Sequence, residues 1–175
     1  MNRLVLLTLL SSVICSARAS CADVSPTPGR PVFTLLGGLG NAMGWLGAQA
    51  EGYVAGGRGS AFAGLGYTAR AQEREATGVA AAGGVRAFTG GFSRRGFLEF
   101  SISQLVVEIA PEGSGTNGKA KVYGPGAQIG YQYIKPTGFT FMVSAGVGHT
   151  VGGPAQLRGI QFMFNLGIGH TWRHG

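Results

Sequence analysis

From position 32 onward, apolar residues alternate with small or polar ones in runs of about ten, and each run ends in Gly, Pro or charge. Alternation with period two is the mark of a strand with two different faces. The last run shows it most clearly. Ile160, Phe162, Phe164, Leu166, Ile168, His170 and Trp172 share one face; Gln161, Met163, Asn165, Gly167, Gly169, Thr171 and Arg173 share the other. The two runs before it repeat the scheme. Phe139, Phe141, Val143, Ala145 and Val147 oppose Thr140, Met142, Ser144, Gly146 and Gly148. Tyr123, Pro125, Ala127, Ile129, Tyr131 and Tyr133 oppose Gly124, Gly126, Gln128, Gly130 and Gln132. Such lengths exceed the mean soluble strand of about 5–6 residues and suit a membrane-crossing strand of about 9–11.

Earlier runs are weaker. Residues 96–109 set Leu98, Phe100, Ile102 and Val106 against Glu99, Ser101 and Ser103. Residues 77–89 are mostly Ala and Gly around Arg86, and 60–69 turn Ala61, Ala63, Leu65 and Tyr67 outward. The stretch 32–53 is too long for one crossing and is divided at Gly40-Asn41. The expected fold is therefore all-β: a single antiparallel transmembrane barrel of about eight strands occupying residues 32–175. The turn at 135–138 is tight, 110–120 is the longest loop, and 71–76 and 151–158 accompany it on the same side. Residues 90–95 make a long connection for the tight-turn side. Tyr131, Tyr133, Phe139, Phe141 and Trp172 cluster near strand ends, where an aromatic girdle meets lipid headgroups.

The N-terminus has its own logic. Arg3 precedes an apolar run from Leu4 to Cys15, and Ala17-Arg18-Ala19 puts small residues where a signal peptidase reads. Residues 1–19 are read as a cleaved signal peptide and 20–31, with Pro26, Pro28 and Gly29, as a flexible lead-in. Cys21 would be the acylated residue of a lipoprotein, although Arg18 stands where such a site wants an apolar side chain. A mature chain with one Cys forms no internal disulfide and no thiolate metal cluster.

Composition narrows the class further. The chain is 45% hydrophobic and 12% charged, with 33 Gly, too many for helices. The net charge is +7, and +5 without Arg3 and Arg18. The basic residues are scattered over expected turns, so they read as a solvated rim that meets lipid phosphates, and no nucleic-acid partner is expected.

The Gly-rich strands Ala63-Gly64-Leu65-Gly66-Tyr67 and Ala127-Gln128-Ile129-Gly130-Tyr131 carry a resemblance. With the closing run Phe164 to Trp172, the chain resembles small outer-membrane β-barrels such as OmpX-like proteins and the OmpA transmembrane domain. The likeness covers nearly all of the expected mature chain. It implies the outer membrane of a Gram-negative bacterium, contact with its lipid and lipopolysaccharide, and insertion by the barrel assembly machinery. Those proteins usually end on Phe or Trp; here Arg173, His174 and Gly175 follow Trp172.

Candidate chemistry is sparse. A turn centred between Phe92 and Ser93 brings Arg86 opposite Glu99 on the lumen face, and Glu51 has the parity to join them in an ion-pair network. Ser101, Ser103, Glu99 and His149 are the candidates for a lipid-modifying enzyme, but no motif links them. His149, His170 and His174 lack metal-ligand spacing. No cofactor, metal or catalysis is expected. The reading is a structural, adhesive or surface-interaction barrel with 110–120 as its contact loop. The alternatives are a soluble exported barrel carrying a small apolar ligand and a lipid-modifying barrel enzyme.

Overall fold

The computed structural model describes residues 29–43, 45–68, 78–109, 119–151 and 159–174. Eight strands follow in chain order: β1 (Arg30–Gly40), β2 (Trp45–Val54), β3 (Gly59–Thr68), β4 (Gly78–Gly90), β5 (Arg94–Ile109), β6 (Lys119–Ile134), β7 (Phe139–His149) and β8 (Ile160–His174). Each pairs antiparallel with the next, and β8 pairs with β1 to close the barrel. The division of 32–53 falls at Gly40, where β1 ends. The barrel begins slightly earlier than expected: Arg30 and Pro31 already pair with His174 and Arg173. The expected signal peptide, Cys21 and most of the lead-in lie outside the described residues.

Period-two alternation places the two sets of side chains on opposite sides of the wall. Thr34, Gln49, Glu51, Arg86, Glu99, Gln128, Gln132, Ser144 and Asn165 are buried inside. The outer surface is apolar: Leu65 is 63%, Phe162 70% and Ile129 72% exposed. This distribution is inverted relative to a soluble protein, whose largest apolar patch spans a few hundred Å².

The two ends of the barrel differ. At the turn end, which also holds Arg30 and His174, the connections are Ala55–Gly57 with Arg58, residues 91–93, and residues 135–138. The expected long connection over 90–95 is thus a three-residue turn, because β4 runs to Gly90 and β5 starts at Arg94. At the other, loop end, residues 69–77, 110–118 and 152–158 lie outside the described residues.

Two features depart from plain alternation. A bulge between Gln104 and Val106 shifts the β5–β6 register and sets Val106 opposite Val122, which is buried. Beyond the bulge, residues 106–109 and 119–122 pair with each other as a two-stranded ribbon at the loop end.

The β1–β2 connection is a 3-10 turn, Asn41–Met43, and all three of its residues are buried. It folds into the lumen instead of standing over it. Ala42 N donates to Asn165 Oδ1 at 2.7 Å and Phe164 N donates to Asn41 Oδ1 at 3.0 Å. Gly64 and Gly66 on β3 make room: a Cβ on Gly64 would strike the Ala42 carbonyl, and one on Gly66 the Met43 carbonyl. Met43 then joins Leu36, Phe88, Phe97 and Met142 in the small apolar cluster of the interior.

Candidate functional site

The interior carries the concentrated polar chemistry. The short turn at 91–93 sets the β4–β5 register, in which Arg86 pairs with Glu99. Arg86 Nε and its NH2 nitrogen each lie 2.8 Å from Glu99 Oε2. Its other terminal nitrogen is 3.2 Å from Glu51 Oε1, an ion-pair distance without hydrogen-bond alignment. Gln49 Oε1 accepts from Arg86 at 3.1 Å. The guanidinium also lies 4.2 Å above the Phe62 ring and 5.0 Å from the Phe97 ring centre. The structure therefore brings Arg86, Glu99 and Glu51 together.

Each carboxylate is further satisfied. Glu51 accepts from Ser60 Oγ and, at 3.0 Å, from the Tyr53 hydroxyl. Glu99 Oε1 accepts from Gln128 Nε2 at 2.9 Å. Gln128 Oε1 in turn accepts from Ser144 and Asn165, both at 3.1 Å. Asn165 thus ties the charged centre to the inward-folded Asn41–Met43 turn. A buried ion is tolerated only when partners replace its water, and this network supplies them.

A second buried cation, Arg95, brings the buried charges among the described residues to two Arg and two Glu. Sequence reading placed Arg95 in a turn. Its parity with Glu99, four residues on along the same face, was the available signal, and it was hidden by drawing the turn too long. Arg95 Nε donates to Gln132 Oε1 at 2.8 Å, and a terminal nitrogen donates to the Gly57 carbonyl at 3.1 Å. Its guanidinium lies 3.9 Å from the Phe88 ring centre and 4.6 Å from that of Tyr53. Beside it, the hydroxyls of Thr34, Thr171 and Thr140 form a chain with 2.6 Å links. Gln49, Gln128 and Gln132 were also missed as network members; they share the face already predicted to point inward.

The residues read as an aromatic girdle lie toward the turn end. Tyr131, Phe139 and Trp172 are exposed on the outer wall, and Tyr133 and Phe141 are half-buried. Trp172 packs 5.6 Å from Phe33 and 4.8 Å from His170, measured between ring centres.

The candidate enzyme residues are separated by the wall. Ser101, Ser103 and Glu99 face inward, whereas His149 is exposed at the loop end of β7. Glu99 is engaged by Arg86. Among the described residues no group of three or more His, Cys, Asp or Glu is placed to hold a metal.

No family model matches the chain, and neither a curated protein nor a solved structure matches it.

Proposed function

We propose that this protein is an outer-membrane β-barrel with a structural or surface-interaction role. The observation that carries the reading is the inverted wall: a continuous apolar exterior around a lumen closed by hydrogen-bonded polar groups. In a bilayer every backbone polar group must be satisfied internally, and a closed sheet does this without an edge. Eight strands enclose space for side chains rather than an aqueous channel, which suits a scaffold and not a pore. The signal-peptide layout of residues 1–19 supplies the export route, and outer-membrane lipid and lipopolysaccharide are the surroundings. The segment 110–120, which joins β5 to β6, is taken as the contact surface.

The test is expression of the full chain in a Gram-negative host, followed by envelope fractionation and gels of boiled and unboiled samples. The expected result is an outer-membrane protein beginning near residue 20 that shifts on heating and has strong β-sheet circular dichroism. A monomer that stays soluble in the periplasm without detergent would overturn the reading.

A further inference from the structure

A pocket of about 210 Å³ opens at the turn end of the barrel, lined by Gly57, Arg58, Phe88, Gly90, Gly91, Phe92 and Arg95. Its chemistry is one-sided. Arg95 is only 2% exposed, yet its two hydrogen-bond partners at the pocket, the Gln132 side chain and the Gly57 carbonyl, are neutral. Among the described residues, the two lumen carboxylates Glu51 and Glu99 make their ion pairs with Arg86, and Glu51 also acts electrostatically on Arg95 without an ion-pair contact to it. A guanidinium has five N–H donors. Gln132 and the Gly57 carbonyl take three of Arg95's donors and Tyr53 engages a further one, which leaves a donor free for a ligand.

The surroundings share the same sign. Arg58 stands exposed on the pocket rim, and Arg30 approaches the same β2–β3 turn beside Gly56. Arg94, Lys135 and Arg173 complete this end of the barrel, and no Asp or Glu occurs in residues 29–35, 52–60, 87–97, 131–141 or 169–174. A cationic recess with apolar walls concentrates the field it presents to an anion. Glycine lining, with φ of +87° at Gly57 and +91° at Gly90, keeps the floor free of side chains.

We infer that this pocket binds a phosphate group, held between Arg95 at its base and Arg58 at its rim. Arginine suits phosphate because its planar donor fork matches two oxygens at once. The phosphate can come from a phospholipid headgroup at the membrane surface or from free phosphate. The site stands whether or not the barrel spans a membrane, since it rests on the pocket and its two arginines alone.

The test uses the purified protein in a maltoside detergent, which carries no phosphate. Inorganic phosphate and glycerophosphoglycerol are titrated separately while the Arg95 Nε–Hε signal and the Gly57, Gly90 and Gly91 amides are followed by NMR. Chloride at matched ionic strength is the control. The expected result is a saturable shift confined to these groups. Tighter binding of the ester points to a lipid headgroup, tighter binding of phosphate to the free ion, and equal binding to the phosphate group itself. Arg58→Glu, at an exposed position, should weaken binding at least tenfold and leave the heat shift of the barrel unchanged. Gly91→Glu, with open space around its new side chain, should compete with the ligand and weaken it similarly. Shifts that chloride reproduces, or that never saturate, or that Arg58→Glu leaves unchanged, would overturn the assignment.

Discussion

Arg86 on β4 and Glu99 on β5 are direct cross-strand partners, and their side chains meet at 2.8 Å inside a closed barrel. The pairing is a consequence of turn length. With β4 ending at Gly90 and β5 starting at Arg94, every pair in this hairpin is set, including Phe88 with Phe97. Glu51 then reaches the same guanidinium from β2, across the lumen.

Breaking this centre should be costly. Glu99→Ala leaves Arg86 with one carboxylate in a dry interior, and loss of one member of a buried pair costs about 3–5 kcal/mol. Glu99→Gln, which keeps an acceptor, should cost less. Replacing both partners, Arg86→Leu with Glu99→Leu, should cost less than the sum of the single changes. Urea unfolding of the detergent-folded protein measures all of these. Additive costs would show that the two side chains are not coupled.

The inward turn gives a second prediction. Asn165 holds the Ala42 amide and also bonds Gln128 and Ser144, at 2.7, 3.1 and 3.0 Å. Asn165→Ala strands these groups, at about 1–3 kcal/mol for a buried unsatisfied partner. Hydrogen exchange at Ala42 should accelerate more than exchange at mid-strand amides of β3. Gly64→Val should expel the turn through its clash with the Ala42 carbonyl and raise exchange at Ala42 in the same way. Uniform acceleration in either variant would instead mean that the whole barrel had loosened.

The apolar exterior gives a third. Leu65→Lys and Ile129→Lys place a charge where the wall is exposed and apolar. In lipid vesicles each should destabilise the barrel by up to about 2–4 kcal/mol, falling with distance from the bilayer midplane. In a soluble protein the same substitutions at exposed sites would cost within about 0.5 kcal/mol. Comparing folding in vesicles with folding in detergent separates the two.

Trp172 offers a spectroscopic check. It is exposed at the turn end beside Phe33 and His170. In a Trp45→Phe background, its fluorescence should be quenched more by lipids brominated near the headgroup than by those brominated near the chain end. Stronger quenching from the chain end would place the ring at the bilayer centre and remove Trp172 from the girdle.

Much of the fold was legible in one dimension. In β6, β7 and β8 the apolar and polar sets separate with only Met163 and His170 out of place, so the outer and inner faces could be assigned residue by residue. Strand number followed once the long stretch before Tyr53 was divided at Gly40. The Arg86–Glu99 relationship was also readable, because a hairpin with a short turn converts sequence separation into register. Arg95 was not read, since deciding whether it belongs to the turn or to the strand requires knowing where pairing stops. The bulge after Gln104 was hidden for the same reason: an extra residue changes face only relative to a partner strand.

What the sequence determined by itself was thus the architecture: period-two alternation, clear in the last three strands and weaker in the earlier ones, with turns and loops alternating between the ends. That information is local, carried by neighbours along the chain. Only the tertiary structure decided that Asn41–Met43 folds inward and how closely Glu51, already expected on the inward face, approaches Arg86. It alone decided that Arg95 is left facing a recess beside Arg58. Those relationships depend on closure, because β1 must meet β8 before residues far apart in the chain share one lumen and must satisfy one another's charge.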